Sequence, residues 1–298
     1  MAQNAEKSFK AGYVAIVGRP NVGKSTLLNN LLNFKVSSVT RKPQTTRHQI
    51  RGILNGENYQ IVFLDTPGLL EPKYKLENAM LRAVQRALTD ADLVLFMVEA
   101  ASMPDDRDVA FLEGTKQACL LIINKMDRIL KKDVLPLMDF FRRFEHIQSM
   151  VPISALKLDG LDILKDEIVK ALPVGPPFYP PDQITDHPER FVVSEIIREK
   201  VFQRYGEEIP YSTTVKVEEF VERKNQKDYI QANIYVEKAS QKGILIGKKG
   251  AALKQIGKLA REEIEFILGR PVFLELWVKV REKWRQNERT LKEFGYYS

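Results

Sequence analysis

Gly18-Arg19-Pro20-Asn21-Val22-Gly23-Lys24-Ser25-Thr26 sets two glycines with four residues between them and follows them with lysine and serine. That spacing suits a loop whose backbone N–H groups curl around a β-phosphate. The helix expected to open at Lys24 would present further N–H donors to the same negative charge. Lys24 is placed to reach the β- and γ-phosphates, and the Ser25 hydroxyl to ligate Mg²⁺.

A phosphate loop does not choose a base, but Asn124-Lys125-Met126-Asp127 does. A carboxylate at Asp127 accepts hydrogen bonds from both the ring N–H and the exocyclic amine of guanine. Adenine offers neither in that arrangement, so such a site rejects ATP. Asn124 can brace the loop or touch the purine, and the Lys125 stem can lie along the base. Ser154-Ala155-Leu156 suits backbone contact with the guanine carbonyl. Between these segments lies Asp65-Thr66-Pro67-Gly68, where Asp65 would hold Mg²⁺ through water and the Gly68 N–H would meet the γ-phosphate. In the polar stretch Thr45-Thr46-Arg47, the Thr46 hydroxyl is the favoured second protein ligand to Mg²⁺.

The elements that must position these residues are legible as apolar runs. Tyr13 to Val17, Ile61 to Leu64, Leu93 to Val98, Cys119 to Ile123 and Met150 to Ile153 are dense in aliphatic side chains. Such runs suit strands buried on both faces of a mostly parallel sheet, with helices such as Lys24 to Leu32 and Asn78 to Thr89 as crossovers. Ile50 to Leu54 and Tyr59 to Leu64 read as a hairpin turning at Asn55-Gly56, which makes one edge strand antiparallel. The class is α/β over residues 1–172.

Six prolines between Pro173 and Pro188 mark an extended connector over 173–188. Beyond it, over 189–298, the order helix, strand, strand, helix, helix, strand makes a small α+β domain with a helical tail. Ile246-Gly247-Lys248-Lys249-Gly250 there matches a glycine loop that clamps a nucleic-acid backbone. Six basic residues and no acidic one lie between Ala239 and Arg261. Lys248 and Lys249 would neutralise phosphates, with Lys242 and Lys254 as further cationic contacts. Trp277 alternates with apolar neighbours and is expected in the core, which leaves Trp284 as the freer stacking candidate.

The 298 residues suit two domains, and 44% hydrophobic with 29% charged residues is ordinary globular composition. The formal charge of +7 hints at an anionic partner. Cys119 is the only cysteine, which excludes an internal disulfide, fits a reducing cytosol and reads as core filling. No apolar run approaches the ~18 residues of a membrane span, and Met1 to Lys10 lacks the apolar stretch of a signal peptide.

Together these motifs resemble the translation-factor-related class of small GTPases. Gly-Arg-Pro-Asn-Val-Gly-Lys-Ser, Gln44-Thr45-Thr46-Arg47-His48 and Asp-Thr-Pro-Gly are similar to the Era family in particular. The C-terminal order resembles a type II KH domain, and Ser194 to Lys200, Ile209 to Ser212 and Leu274 to Val280 are also similar to that family. The resemblance implies a GTPase in which the loops around Thr46 and after Gly68 switch with the γ-phosphate. It implies rRNA binding near the 3′ end of 16S rRNA, on the immature small (30S) ribosomal subunit, in the cytoplasm. It also raises peripheral association with the inner membrane, as a GTP-regulated adaptor, as the rival reading.

Leu69 stands where Ras-like proteins carry a water-orienting glutamine, so slow intrinsic hydrolysis is expected. Related GTPases with asparagine at the Asn21 position use it beside a potassium ion. Asn21 is therefore the candidate K⁺ residue, with loop stabilisation as its plainer role. Lys24, Thr46, Gly68 and Asn21 are the residues expected to act on hydrolysis.

Overall fold

The structure, a computed structural model, describes residues 8–297. The first seven residues, most of the segment read against a signal peptide, lie outside that range. Packing divides the chain into two compact units. The first gathers the residues up to Ser37 with Thr46–Leu70 and Leu81–Asp186; the second gathers Ser38–Thr45, Glu71–Met80 and the residues from His187 onward.

The first unit is built on strands β1 (Lys10–Gly18), β2 (Ile50–Asn55), β3 (Tyr59–Asp65), β4 (Leu93–Glu99), β5 (Cys119–Asn124) and β6 (Ile147–Pro152). Their order is β2-β3-β1-β4-β5-β6. All neighbours run parallel except β2 against β3. Every residue of β5 is buried, and β4 is buried from Leu93 to Val98. Burial on both faces is what the continuous apolar runs require, at about 1.5–3 kcal/mol per large side chain. The crossovers are α1 (Lys24–Leu32), α2 (Lys75–Asp90), α3 (Asp106–Gly114), α4 (Leu135–Phe141) and α5 (Leu161–Ala171). Cys119 sits in this core, where burial pushes its thiol up to about 12 and removes it as a nucleophile at neutral pH.

The hairpin turns later than Asn55-Gly56. Asn55 pairs with Gln60, and the Gly56 N–H donates to the Tyr59 carbonyl at 2.9 Å, so Glu57 and Asn58 make the turn. The proline-rich stretch is irregular, with a turn closed by the Gln183 N–H on the Pro180 carbonyl, and it is bonded to this unit through much of its length. The Ile53 N–H donates to the Ile184 carbonyl at 2.7 Å, and Gln60 Nε2 donates to the Tyr179 carbonyl at 2.8 Å. Arg51 pairs with Asp186 at 2.5 Å. An edge strand otherwise exposes a row of free backbone groups, and this segment covers part of β2.

In the second unit, β7 (Thr214–Val221), β8 (Asp228–Val236) and β9 (Val272–Val280) form a sheet in that order. β7 is antiparallel to β8, and β9 is parallel to it. Helices α6 (Glu189–Arg204), α7 (Glu208–Tyr211), α8 (Ala239–Ile246), α9 (Ala251–Leu268) and α10 (Glu288–Glu293) complete it. Ile230, Ala232, Ile234 and Val236 alternate along β8 into a core shared with Val193, Ile197, Ile256 and Ile264.

The two tryptophans exchange the places expected of them. Trp277 is 53% exposed, whereas Trp284 is fully buried. Period-two alternation on β9 sends Leu274 and Leu276 towards the core and leaves Phe273 and Trp277 on the other face. The Trp284 indole N–H donates to the Ser212 carbonyl at 2.8 Å beneath Phe294 and Tyr296.

Candidate nucleotide site and nucleic-acid groove

Gly18, Asp65 and Asn124 end β1, β3 and β5, and Ser154 follows β6. Ends of parallel strands outside an α/β sheet are where such folds bind ligands. The loop after β1 enters α1 through Gly23 at φ 111°, and no side chain caps that helix. Its first N–H groups are therefore left to an anion. Lys24 Nζ donates to the Gly18 and Arg19 carbonyls at 3.0 and 2.9 Å, which draws the loop around the ammonium. Burial pulls that ammonium down to about 8, against the opposing attraction of Asp65.

Ser25, Thr46 and Asp65 converge although 40 residues separate the first from the last. Ser25 Oγ lies 2.9 Å from Thr46 Oγ1 and donates to Asp65 Oδ2 at 2.8 Å. Asp65 is fully buried, and among the described residues its Oδ1 has no hydrogen-bond partner. Burial pushes the carboxyl up, against Lys24 and the Ser25 and Ser37 hydroxyls. A buried carboxylate oxygen with free lone pairs, beside two hydroxyls, fits a hard divalent cation that binds oxygen. Thr66 Oγ1 donates to the Ile16 carbonyl at 2.8 Å, and the Leu69 N–H donates to the Gly18 carbonyl at 3.1 Å. These bonds lay the Asp65-Thr66-Pro67-Gly68 segment against the phosphate loop.

Asn124 braces the base end. Its Nδ2 donates to the Val22 carbonyl at 2.8 Å, while its Oδ1 accepts from the Ala155 N–H at 2.9 Å. Asp127 is exposed. The Ser154 hydroxyl, donating at 2.5 Å, holds the Asp127 carboxyl below its ordinary range, so it is an acceptor at neutral pH. Lys125 Nζ pairs with Glu99 at 2.5 Å, and Leu156 is exposed beyond the loop.

Sequence reasoning missed three braces. Ser37 Oγ donates to Asp65 at 2.8 Å, and Asp105 and Asp108 pair with Arg19 at 3.3 and 3.1 Å. Asp105 and Asp108 are the capping box of α3, so their spacing reads as a helix start, and Ser37 reaches the site from the loop after α1.

In the second unit, an open groove of about 690 Å³ runs between α9 and β9. Leu253, Leu274 and Leu276 give it apolar surface, and Lys254, Lys258 and Arg261 give it charge. The glycine loop meets it at Gly250. Gly247 has φ 71° and ψ 179°, a conformation open in practice only to glycine. Lys248 and Lys249 are exposed on that loop, and neither they nor Lys242 line the groove. Leu274 and Leu276 were absent from the expected contacts, since strand residues at period two read first as core.

A protein-family model described as a 50S ribosome-binding GTPase matches residues 13–125, and one described as a KH domain matches residues 208–285. GTPase Era of Lactobacillus helveticus is 47% identical, over 98% of this chain and 97% of its own. GTPase Era of Ruminiclostridium cellulolyticum is 44% identical over 97% and 98%. The chain belongs to the Era family of GTPases. An Aquifex aeolicus Era variant bound to GDP and AlF4⁻ superposes with a TM-score of 0.94 at 45% identity, over 97% of this chain and all of that one. A structure of Era with MgGDPNP and nucleotides 1506–1542 of 16S ribosomal RNA gives the same score, identity and coverage. As a member of the Era family the chain binds GTP and GDP and hydrolyses GTP, with a G domain ahead of a KH domain. Among the described residues, no helix is long and apolar enough to cross a membrane.

Proposed function

We propose that the chain is a GTP-driven switch that binds the 3′ region of 16S rRNA through its KH groove and acts in small-subunit assembly in the cytoplasm. The observation that carries this reading is the 0.94 superposition on Era bound to both MgGDPNP and 16S rRNA nucleotides. It covers 97% of the chain, so nucleotide and RNA readings rest on the same relative. The large subunit named by the family model belongs to a match over the G domain alone. Nothing in these relatives favours the membrane-adaptor alternative.

In this reading the backbone from Gly18 to Thr26 cradles the phosphates, and Lys24 turns from its carbonyl partners to the β- and γ-oxygens. Ser25 and Thr46 would hold Mg²⁺, with Asp65 beside them. The ion supplies charge stabilisation to the phosphoryl oxygens. Gly68 offers its N–H to the γ-phosphate. Asp127 reads guanine, and Ser154 and Ala155 frame its carbonyl side. The Leu69 side chain has no hydrogen-bonding atom with which to orient water. We assign a monovalent cation beside Asn21, which takes a left-handed φ of 64° on the exposed loop, as the compensating charge. Exchange of Na⁺ for K⁺ is expected to raise turnover on the order of tenfold, a fraction of the 10³–10⁵ given by an arginine finger. Equal rates in the two salts would remove the cation and leave Asn21 as a loop residue.

On the RNA side, Lys248→Glu with Lys249→Glu is expected to weaken binding of a 16S 3′-end oligonucleotide roughly a hundredfold. Each lost phosphate contact should flatten the dependence of log K on log salt by about 0.7. Filter binding across a salt series checks both. The same oligonucleotide, offered to full-length protein loaded with GDP or GDPNP, tests the switch. Tighter binding with GDPNP is expected, and equal affinity would leave two uncoupled activities on one chain.

A further inference from the structure

α9 carries a glycine that the helix itself does not need. Gly250 and Gly269 bound the helix with left-handed φ of 78° and 66°, where a side chain would be strained. Gly257 lies in the helix interior and is not left-handed. A Cβ built on it would meet Leu276 Cδ1 at 3.4 Å, an ordinary contact. Alanine would therefore fit, and in a helix interior alanine is the best residue and glycine among the worst.

What the glycine leaves bare is a stretch of groove wall. Leu253, Gly257 and Arg261 stand four residues apart, so they follow one another along one face of α9. All three line the groove, with Leu276 of β9 across from Gly257. Between the Leu253 and Arg261 side chains the wall is helix backbone, whose amides are engaged within the helix. Such a surface offers a phosphate no charge, but it gives a flat ring close apolar contact. Lys254, Lys258 and Arg261 flank it, and no acidic residue is among the lining side chains. A flat ring carried on an anionic chain suits both features, and an unstacked base of single-stranded RNA is such a group.

We propose that Gly257 shapes RNA recognition: by lacking a side chain it makes a seat for one unstacked nucleobase between Leu253 and Arg261, against Leu276. The proposal rests on reading this groove as the RNA site. It gives the glycine an opposite sign in folding and in binding, since filling the seat strengthens the helix and excludes the base.

The test uses Gly257→Ala and Gly257→Leu in the full-length protein, with the 16S 3′-end oligonucleotide as probe. Gly257→Ala is expected to weaken binding roughly tenfold and Gly257→Leu roughly a hundredfold, within the range that packing one base on a protein surface spans. The slope of log K against log salt should stay at its wild-type value, because no phosphate contact is lost. The thermal midpoint of Gly257→Ala should rise by about 2–4 °C. A series of oligonucleotides, each with a single abasic site, then locates the base. At one position the wild type should lose about tenfold while Gly257→Leu loses nothing further, because the contact is already gone. Wild-type affinity in both variants overturns the proposal, and so do losses that add at every abasic position. A fall in affinity accompanied by a lower thermal midpoint in Gly257→Ala would make the glycine structural and overturns it too. Lys254→Glu with Lys258→Glu tests the reading beneath it: unchanged oligonucleotide binding in that variant would place the RNA elsewhere, and the seat at Gly257 falls with the groove.

Discussion

Asp127→Asn is expected to raise the Kd for GTP between roughly 10² and 10⁴-fold and to give the protein a preference for xanthosine nucleotides. The carboxylate is exposed, and the Ser154 hydroxyl keeps it ionised, so both oxygens are acceptors. Guanine offers two donors to it, and hydrogen bonds to a charged group contribute about 1.5–3 kcal/mol each. An asparagine keeps one acceptor and turns the other position into a donor, which faces the guanine amine badly. Xanthine carries a carbonyl there and accepts that donor. Competition binding with GTP, XTP and ATP settles the matter. Unchanged GTP affinity in the variant would place guanine recognition elsewhere on the chain. The phosphate machinery is untouched by the substitution, so XTP turnover at saturation should lie near the wild-type GTP rate.

The second large effect belongs to Gly68→Ala. A Cβ at this position would stand 2.7 Å from the Pro20 nitrogen and 2.8 Å from the Pro20 Cα. Those atoms are backbone of the phosphate loop and cannot swing aside as a side-chain tip does. Relief therefore demands that one loop move by several tenths of an ångström. The Leu69 N–H bond to the Gly18 carbonyl, at 3.1 Å, opposes that movement. A shift approaching 1 Å at a group that aligns the reacting phosphate is worth roughly 10² in rate. Single-turnover hydrolysis should show that loss. GDP affinity should change less than about threefold, because GDP lacks the phosphate that Gly68 would meet. A turnover within a factor of two of wild type would mean that the loops separate before chemistry and that the close approach is irrelevant to it.

The nucleotide motifs were readable because their chemistry is local. A glycine loop, a lysine and a helix N-terminus are neighbours in the chain, so their spacing already describes the cradle they make. The helix Ala251–Leu268 was equally plain, being amphipathic and bounded by Gly250 and Gly269, both left-handed. The strands declared themselves because burial on two faces demands uninterrupted apolar runs. Where reasoning slipped, a single parity or a few residues decided the outcome. Trp277 sits in an apolar stretch, and composition alone cannot tell which alternate residues of β9 turn inward. The hairpin was placed two residues early because Asn55-Gly56 carries the stronger turn preference, whereas the register set by Asn55 and Gln60 puts the turn at Glu57 and Asn58.

Sequence by itself determined the ligand class, the order of the two domains, the mostly parallel sheet with its antiparallel edge, and the glycine loop of the KH domain. Tertiary structure alone decided which distant residues support those motifs. Ser37 and Ser25 meet at Asp65, Asp108 reaches Arg19, and residues 38–45 seat on α6 through Arg198 and Lys42. The reason is physical: a bond between residues 153 apart depends on topology and strand register, which no local spacing encodes.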